Sequence, residues 1–125
     1  MEATMLCSDE VINHFLSYEK LLEAINMKRF LVLINRDTGL KVYVFKGINK
    51  DYLVSPCRIC TCSDFIINFI GRKRDYPCYH VIGFAIAEKL DKLSYIELDN
   101  NMFTSIVYEI VFQGMSFKLR KILKG

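Results

Sequence analysis

The sequence predicts an α+β domain, a short antiparallel β-sheet flanked by N-terminal and C-terminal helices, and three observations carry that prediction. Residues 8–28 repeat apolar side chains at helical spacing, residues 30–54 hold short alternating apolar stretches separated by turn residues, and helical spacing returns after Pro77 and after Asp99. At 125 residues the chain (1–125) fits a single domain, and a chain of this size buries roughly two-thirds of the surface it exposes when unfolded.

The first element is an amphipathic helix over 8–28, with Val11, Ile12, Phe15, Leu16, Leu22 and Ile25 on its apolar side and Ser8 or Asp9 as its cap. Phe30 to Ile34 is a short apolar run, Arg36-Asp37-Thr38-Gly39 supplies turn chemistry, and Leu40, Val42 and Val44 alternate with Lys41, Tyr43 and Phe45, which reads as a β-hairpin. Tyr52 to Val54 makes a third strand leading into Pro56 and a cluster of cysteines. Ser63 and Asp64 then cap a short helix carrying Phe65, Ile66, Phe69 and Ile70, which Gly71 stops. Pro77 opens a stronger helix through Val81, Ile82, Ala85, Ile86 and Leu90, with His80 in its first turn. A C-terminal helical region, 99–124, runs through Phe112 and resumes after Gly114.

Composition narrows the function classes. Hydrophobic residues make up 52% of the chain before glycine is counted, above the roughly 45–50% usual for soluble domains, so some apolar surface is expected to serve a partner. Tyr79, Phe103, Phe112 and Phe117 are candidate anchors. Polar or charged residues interrupt every apolar stretch before it reaches 18 residues, which argues against a membrane span. The start, Met1-Glu2-Ala3, lacks the features of a signal peptide, so the expected location is cytoplasmic, or nuclear in a eukaryote. The five cysteines are then expected reduced, which favours metal ligation over disulfides. The net charge of +3 is mild, but Arg72, Lys73 and Arg74 form one basic cluster and Lys118, Arg120, Lys121 and Lys124 another; both are candidate phosphate contacts, with Tyr76 as a stacking aromatic, for the alternative function of a stand-alone zinc module that binds single-stranded nucleic acid directly.

Four residues stand out as metal ligands. Cys60 and Cys62 form C-x-C; fifteen residues later Cys78 and His80 form C-x-H. A structural zinc ion takes four tetrahedral ligands, usually thiolates and imidazoles, and two ligands two residues apart converge where they lie on a tight knuckle or a helix start. Cys57 completes C-x-x-C-x-C and so offers a third thiolate; it reads as a non-ligand beside the site, and Cys7 as an ordinary cysteine. His14, beside Phe15, reads as a structural histidine. Three thiolates and one imidazole on a divalent ion carry a net charge of minus one, which Arg58 or helix-start amides would soften.

Catalysis finds no support. Pro56-Cys57-Arg58-Ile59-Cys60 matches half of a zinc-deaminase signature, but the H-x-E half is missing because His14 and His80 are followed two residues on by Leu16 and Ile82. A four-ligand site also leaves no position for a reacting water. No glycine-rich phosphate loop is present, so an ATPase would have to be a partner.

The arrangement Cys60-Thr61-Cys62 and Cys78-Tyr79-His80 resembles the SWIM zinc finger, a C-x-C, variable spacer, C-x-H motif in a ββα setting. With Val42-Tyr43-Val44 before a glycine, Cys57 ahead of the pair, Phe65 after it and the basic Arg72-Lys73, residues 40–90 look like the core of the small stand-alone SWIM proteins of the Shu complex. That resemblance implies Cys60, Cys62, Cys78 and His80 as zinc ligands, and a non-catalytic subunit that pairs with a RecA-family recombinase paralogue in homologous recombination and DNA repair. Single-stranded DNA would then be bound through the complex. The family favours alanine three residues after the histidine, where this chain has Gly83. High Ile and Lys usage suits a thermophilic archaeal source.

Overall fold

The structure, a computed structural model, describes residues 6–124. Its elements are helices α1 (Asp9–Phe15) and α2 (Glu19–Asn26), strands β1 (Phe30–Asn35), β2 (Lys41–Lys46), β3 (Asp51–Ser55) and β4 (Ile59–Cys60), a π-helix (Asp64–Gly71), α3 (Tyr79–Lys89), β5 (Ser94–Leu98), α4 (Asn100–Gln113) and α5 (Phe117–Lys124). The five strands form one sheet in the order β4-β3-β2-β1-β5. All neighbours are antiparallel except β1 and β5, which run parallel with Leu33 opposite Ile96.

The architecture is α+β, with helices on both faces of the sheet. Because side chains alternate across a strand, β1 feeds two cores: Phe30 packs with α1, α2 and α3, while Leu31 and Leu33 pack with α4 and α5. This explains why Phe30 to Ile34 is uniformly apolar; a central strand covered on both faces needs no polar side. The antiparallel three-strand sheet expected from sequence is therefore the middle of a larger one. The additional strand β5 is short and half exposed, with Tyr95 and Glu97 facing outward, so its pattern offered little to read.

The single helix expected over 8–28 is instead two. Ser8 caps α1, accepting from the Val11 amide at 3.3 Å, but the chain breaks at Leu16, Ser17 and Tyr18. At about 100° per residue, Leu21 on a continuous helix would stand roughly 120° round from Phe15, and the apolar faces 12–15 and 21–25 would point in different directions. The break lets both faces pack on α3. The segment expected as a short helix after Cys62 is the π-helix, in which Phe65 is buried while Ile66, Ile67 and Ile70 are exposed.

At the C-terminal end, Asp99 caps α4 through the Met102 amide at 2.8 Å, and Gly114, at φ 79°, ends it in the left-handed region that glycine tolerates. A buried polar knot fastens α5 to the sheet. The Asp51 carboxylate, fully buried, accepts from the Ser116 amide at 2.9 Å and from Arg120 at 2.7 Å, and Arg120 also donates to the Gly47 carbonyl. Removing either charge would leave the other buried and unpaired, the costly case for a buried ion pair.

Candidate metal centre

The β3–β4 hairpin and the start of α3 meet to form the site. Cys60 ends β4, where it pairs with Val54. The turn before it reverses tightly: the Arg58 amide donates to the Ser55 carbonyl at 2.9 Å, and Cys57 sits at φ 66°. Cys62 follows at the threshold of the π-helix, whose first turn forms on it as the Ile66 amide bonds the Cys62 carbonyl at 3.3 Å. Opposite, Cys78 is the N-cap of α3 and His80 stands in its first turn. Helix α3 is held rigidly because Val81, Ile82 and Ala87 are wholly buried between the sheet and the N-terminal helices.

One donor atom from each of Cys60, Cys62, Cys78 and His80 lies within 4.8 Å of the other three. The Cys60 Sγ to His80 Nδ1 distance is 3.7 Å, which identifies Nδ1 as the inward-facing nitrogen. A tetrahedron built on zinc–sulfur bonds of about 2.3 Å has edges of about 3.8 Å, which the Cys60–His80 pair matches, and the other donors, all within 4.8 Å of one another, lie close enough to share one ion. The cysteines are buried and His80 is half-buried, its ring packed near Phe45 and Tyr52. Donor chemistry and spacing both fit a metal ion, and the cluster is consistent with a zinc finger.

The electrostatics fit a cation as well. Three thiols this close share hydrogen bonds: those from Cys60 and then Cys78 hold the Cys62 thiol far below its ordinary value. Donating to Cys62 pushes Cys60 up to about 12, and hydrogen bonding to Cys60 and Cys62 also drives Cys78 upward. A cluster that concentrates thiolate character on one sulfur and resists a second charge is one that a divalent cation would relax. The Phe65 amide donates to Cys62 Sγ at 3.4 Å, which favours thiolate there.

The cation beside the sulfurs differs from the expected one. Arg58 is exposed in the β3–β4 turn, whereas Arg74, bound to both oxygens of Asp64 at 2.8 and 2.6 Å, lines one pocket with Cys78 and His80. The distinction was invisible in sequence because Arg74 reaches the site only when the loop after the π-helix folds back, its Nε donating to the Tyr76 carbonyl.

The expectation that cysteines outside the site are unpaired is corrected. Cys57 is bonded to Cys7 in a disulfide with a Cα–Cα distance of 5.2 Å, which ties the segment before α1 to the β3–β4 turn and keeps Cys57 out of the cluster. Fifty residues separate the two in sequence, and only the packing of α1 onto α3 brings them together. His14 is exposed rather than buried in a core, and stacks on Tyr76 at 3.7 Å.

The candidate phosphate contacts divide. Arg74 and Arg120 are committed to Asp64 and Asp51, while Arg72, Lys73, Lys118, Lys121 and Lys124 are exposed. Among the described residues no helix is long and apolar enough to cross a membrane.

No protein-family model matches the chain, and no solved structure matches it significantly. An uncharacterized protein of Archaeoglobus fulgidus is 34% identical over 53 residues, which is 42% of this chain and 44% of that protein. The match thus spans less than half of that relative's length.

Proposed function

We propose that this chain is a zinc-stabilised, non-catalytic interaction module, an accessory subunit that pairs with a RecA-family recombinase paralogue in DNA recombination and repair. The convergence of C-x-C and C-x-H on one point carries the first part. Three thiolates with one imidazole is a donor set that suits zinc, and four protein ligands leave no position for a reacting water, so the metal's work is to join the β3–β4 hairpin to α3. When bound, the ion supplies folding energy rather than chemistry.

Support for the partner comes from the resemblance to stand-alone SWIM subunits and from the surface. Of the candidate anchors, Phe103 is buried in the core and Tyr79 is half-buried, but Phe112 and Phe117 are 72% and 60% exposed. Tyr108 packs against Phe112, ring centroids 4.6 Å apart and planes tilted by 38°, and Val111 is also exposed, so the outer face of α4 presents large apolar side chains to solvent. Such a face suits a protein partner, since aromatic residues dominate interface hot spots.

The test is affinity purification of the tagged chain from its own host, with mass spectrometry and elemental analysis on the same eluate. A RecA-family ATPase in stoichiometric amount and one zinc per chain are expected, and Phe112→Ser with Phe117→Ser should lose the ATPase while keeping the zinc. Zinc without such a partner would overturn the recombination assignment and leave the metal-stabilised module standing.

A further inference from the structure

Beside the candidate metal centre lies a groove of about 610 Å³, with His80 in its lining. Helix α2 forms one wall with Lys20 and Met27, and the β2–β3 turn forms the other with Ile48 and Lys50. Its floor is aromatic: Tyr52 is stacked near Phe45 with their planes 24° apart, and Tyr79 packs edge-on to the same Phe45 at 5.8 Å. Tyr52 and Tyr79 are half-buried, so each ring is held by its neighbours yet keeps part of its surface open to the groove.

Positive charge gathers here from distant parts of the chain. Arg29 lines the groove and donates to the Lys46 carbonyl at 2.8 Å. Arg120 reaches the opposite side of the turn, donating to the Gly47 carbonyl at 3.0 Å, which brings α5 with Lys124 up to the same turn. Lys46 registers the crowding: burial first, then the charges of Arg120, Arg29 and Lys124, lower its pKa, and Asp51 opposes them only in part. The acids present are Glu23 on the α2 wall and Asp51, and Asp51 is already paired with Arg120. The balance is a surplus of cations around an aromatic floor.

Aromatic rings that accept a base face, with cations spaced to hold the flanking phosphates, are the recognition chemistry of unpaired nucleic acid. A duplex hides its base faces and could not use the floor. We propose that this groove binds single-stranded nucleic acid, with one base seated against Tyr52 and Tyr79 and the adjoining phosphates held by Lys20, Arg29 and Lys50. The site lies away from the Arg72–Arg74 loop, whose Arg74 is committed to Asp64. It is independent of the recombinase partner, and it needs the metal centre only to hold the start of α3, which carries Tyr79 and His80.

The test uses the full zinc-loaded chain and a fluorescein-labelled 15-residue oligo-dT followed by anisotropy. Binding should weaken steeply between about 50 and 200 mM salt. Intrinsic tyrosine fluorescence should be quenched on binding, a signal that can be read because the chain has no tryptophan. Lys20→Gln with Lys50→Gln, both exposed, should weaken binding about tenfold and lower the salt slope by about two, with zinc content and Tm unchanged. Arg72→Gln with Lys73→Gln should leave affinity as it was. Thymidine monophosphate competing at the same nucleotide concentration as the strand would identify a free nucleotide as the source of the shared chemistry, and competition by the strand alone would identify the strand. Affinity unchanged in the Lys20/Lys50 variant, loss confined to the Arg72/Lys73 variant, or equal binding of an oligo-glutamate peptide would each overturn the proposal.

Discussion

Gly83 of α3 lies face to face with the Phe30 ring of β1, so close that a β-carbon at residue 83 would run into that ring and into the Leu21 side chain. Phe30 cannot yield, being fully buried and packed edge-on against Phe45 and Phe84 at 5.0 Å each. The SWIM resemblance favours alanine here; this chain spends the space on a phenylalanine across the interface. Gly83→Ala should therefore destabilise the fold by about 1–3 kcal/mol, the usual range for overpacking, despite alanine's better helix propensity. Urea unfolding measures it, and Phe30→Leu should restore part of the loss in the double variant. Equal or greater stability of Gly83→Ala alone would refute the packing account.

A bound ion should dominate stability. Structural zinc contributes an apparent ~10–16 kcal/mol in small modules, comparable to or above a whole domain's stability. Chelation, Cys62→Ser or His80→Ala should each lose the cooperative thermal transition, followed by circular dichroism, and Tyr52, near the sulfurs, should report the loss by fluorescence. An apo protein melting where the loaded one does would sink the structural role of the metal.

Reducing the disulfide should loosen the N-terminal segment without emptying the site. For a separation of 50 residues, the chain-entropy relation gives a stabilisation of about 4 kcal/mol. Cys7→Ser with Cys57→Ser should lose up to that amount while retaining one zinc per chain by elemental analysis. Loss of zinc from this double variant would mean that Cys57 serves the cluster.

Asp64 and Arg74 set a small acid dependence. Hydrogen bonds from Arg74 hold the Asp64 carboxyl below its ordinary value of 3.8, so the pair's contribution is fully present above that pH and is lost as pH falls through the lower, folded value. Both side chains are about 40% exposed, at 40% and 43%, which limits the contribution to about 1 kcal/mol or less. Arg74→Ala should raise the Asp64 pKa in a carboxyl NMR titration. No movement would show that the pair is open in solution.

Much of the molecule was legible in order alone. The strands 30–34, 40–45 and 52–54, the helix opening after Pro77, Ser8 as one of the two offered caps, and the helical region after Asp99 that resumes after Gly114 are all local decisions, made by alternation, cap chemistry and helical spacing within a few residues. The four candidate ligands were legible for a related reason: two pairs, each confined to three residues, need only a knuckle and a helix start to present both members together.

The rest depended on contacts between segments far apart in sequence, which no local pattern encodes. The break between α1 and α2 follows from packing two apolar faces on one α3, the parallel pairing of β5 with β1 from covering a central strand, and the Cys7–Cys57 bond from α1 docking on α3. Charge was redistributed in the same way, since Arg74 and Arg120 are bound by Asp64 and by the buried Asp51, while Lys20, Arg29 and Lys50 come together around one groove. Residue types and spacing by themselves determined which groups could ligate a metal; the tertiary structure decided which cations stay free, because ion pairing depends on distance in space and not on position along the chain.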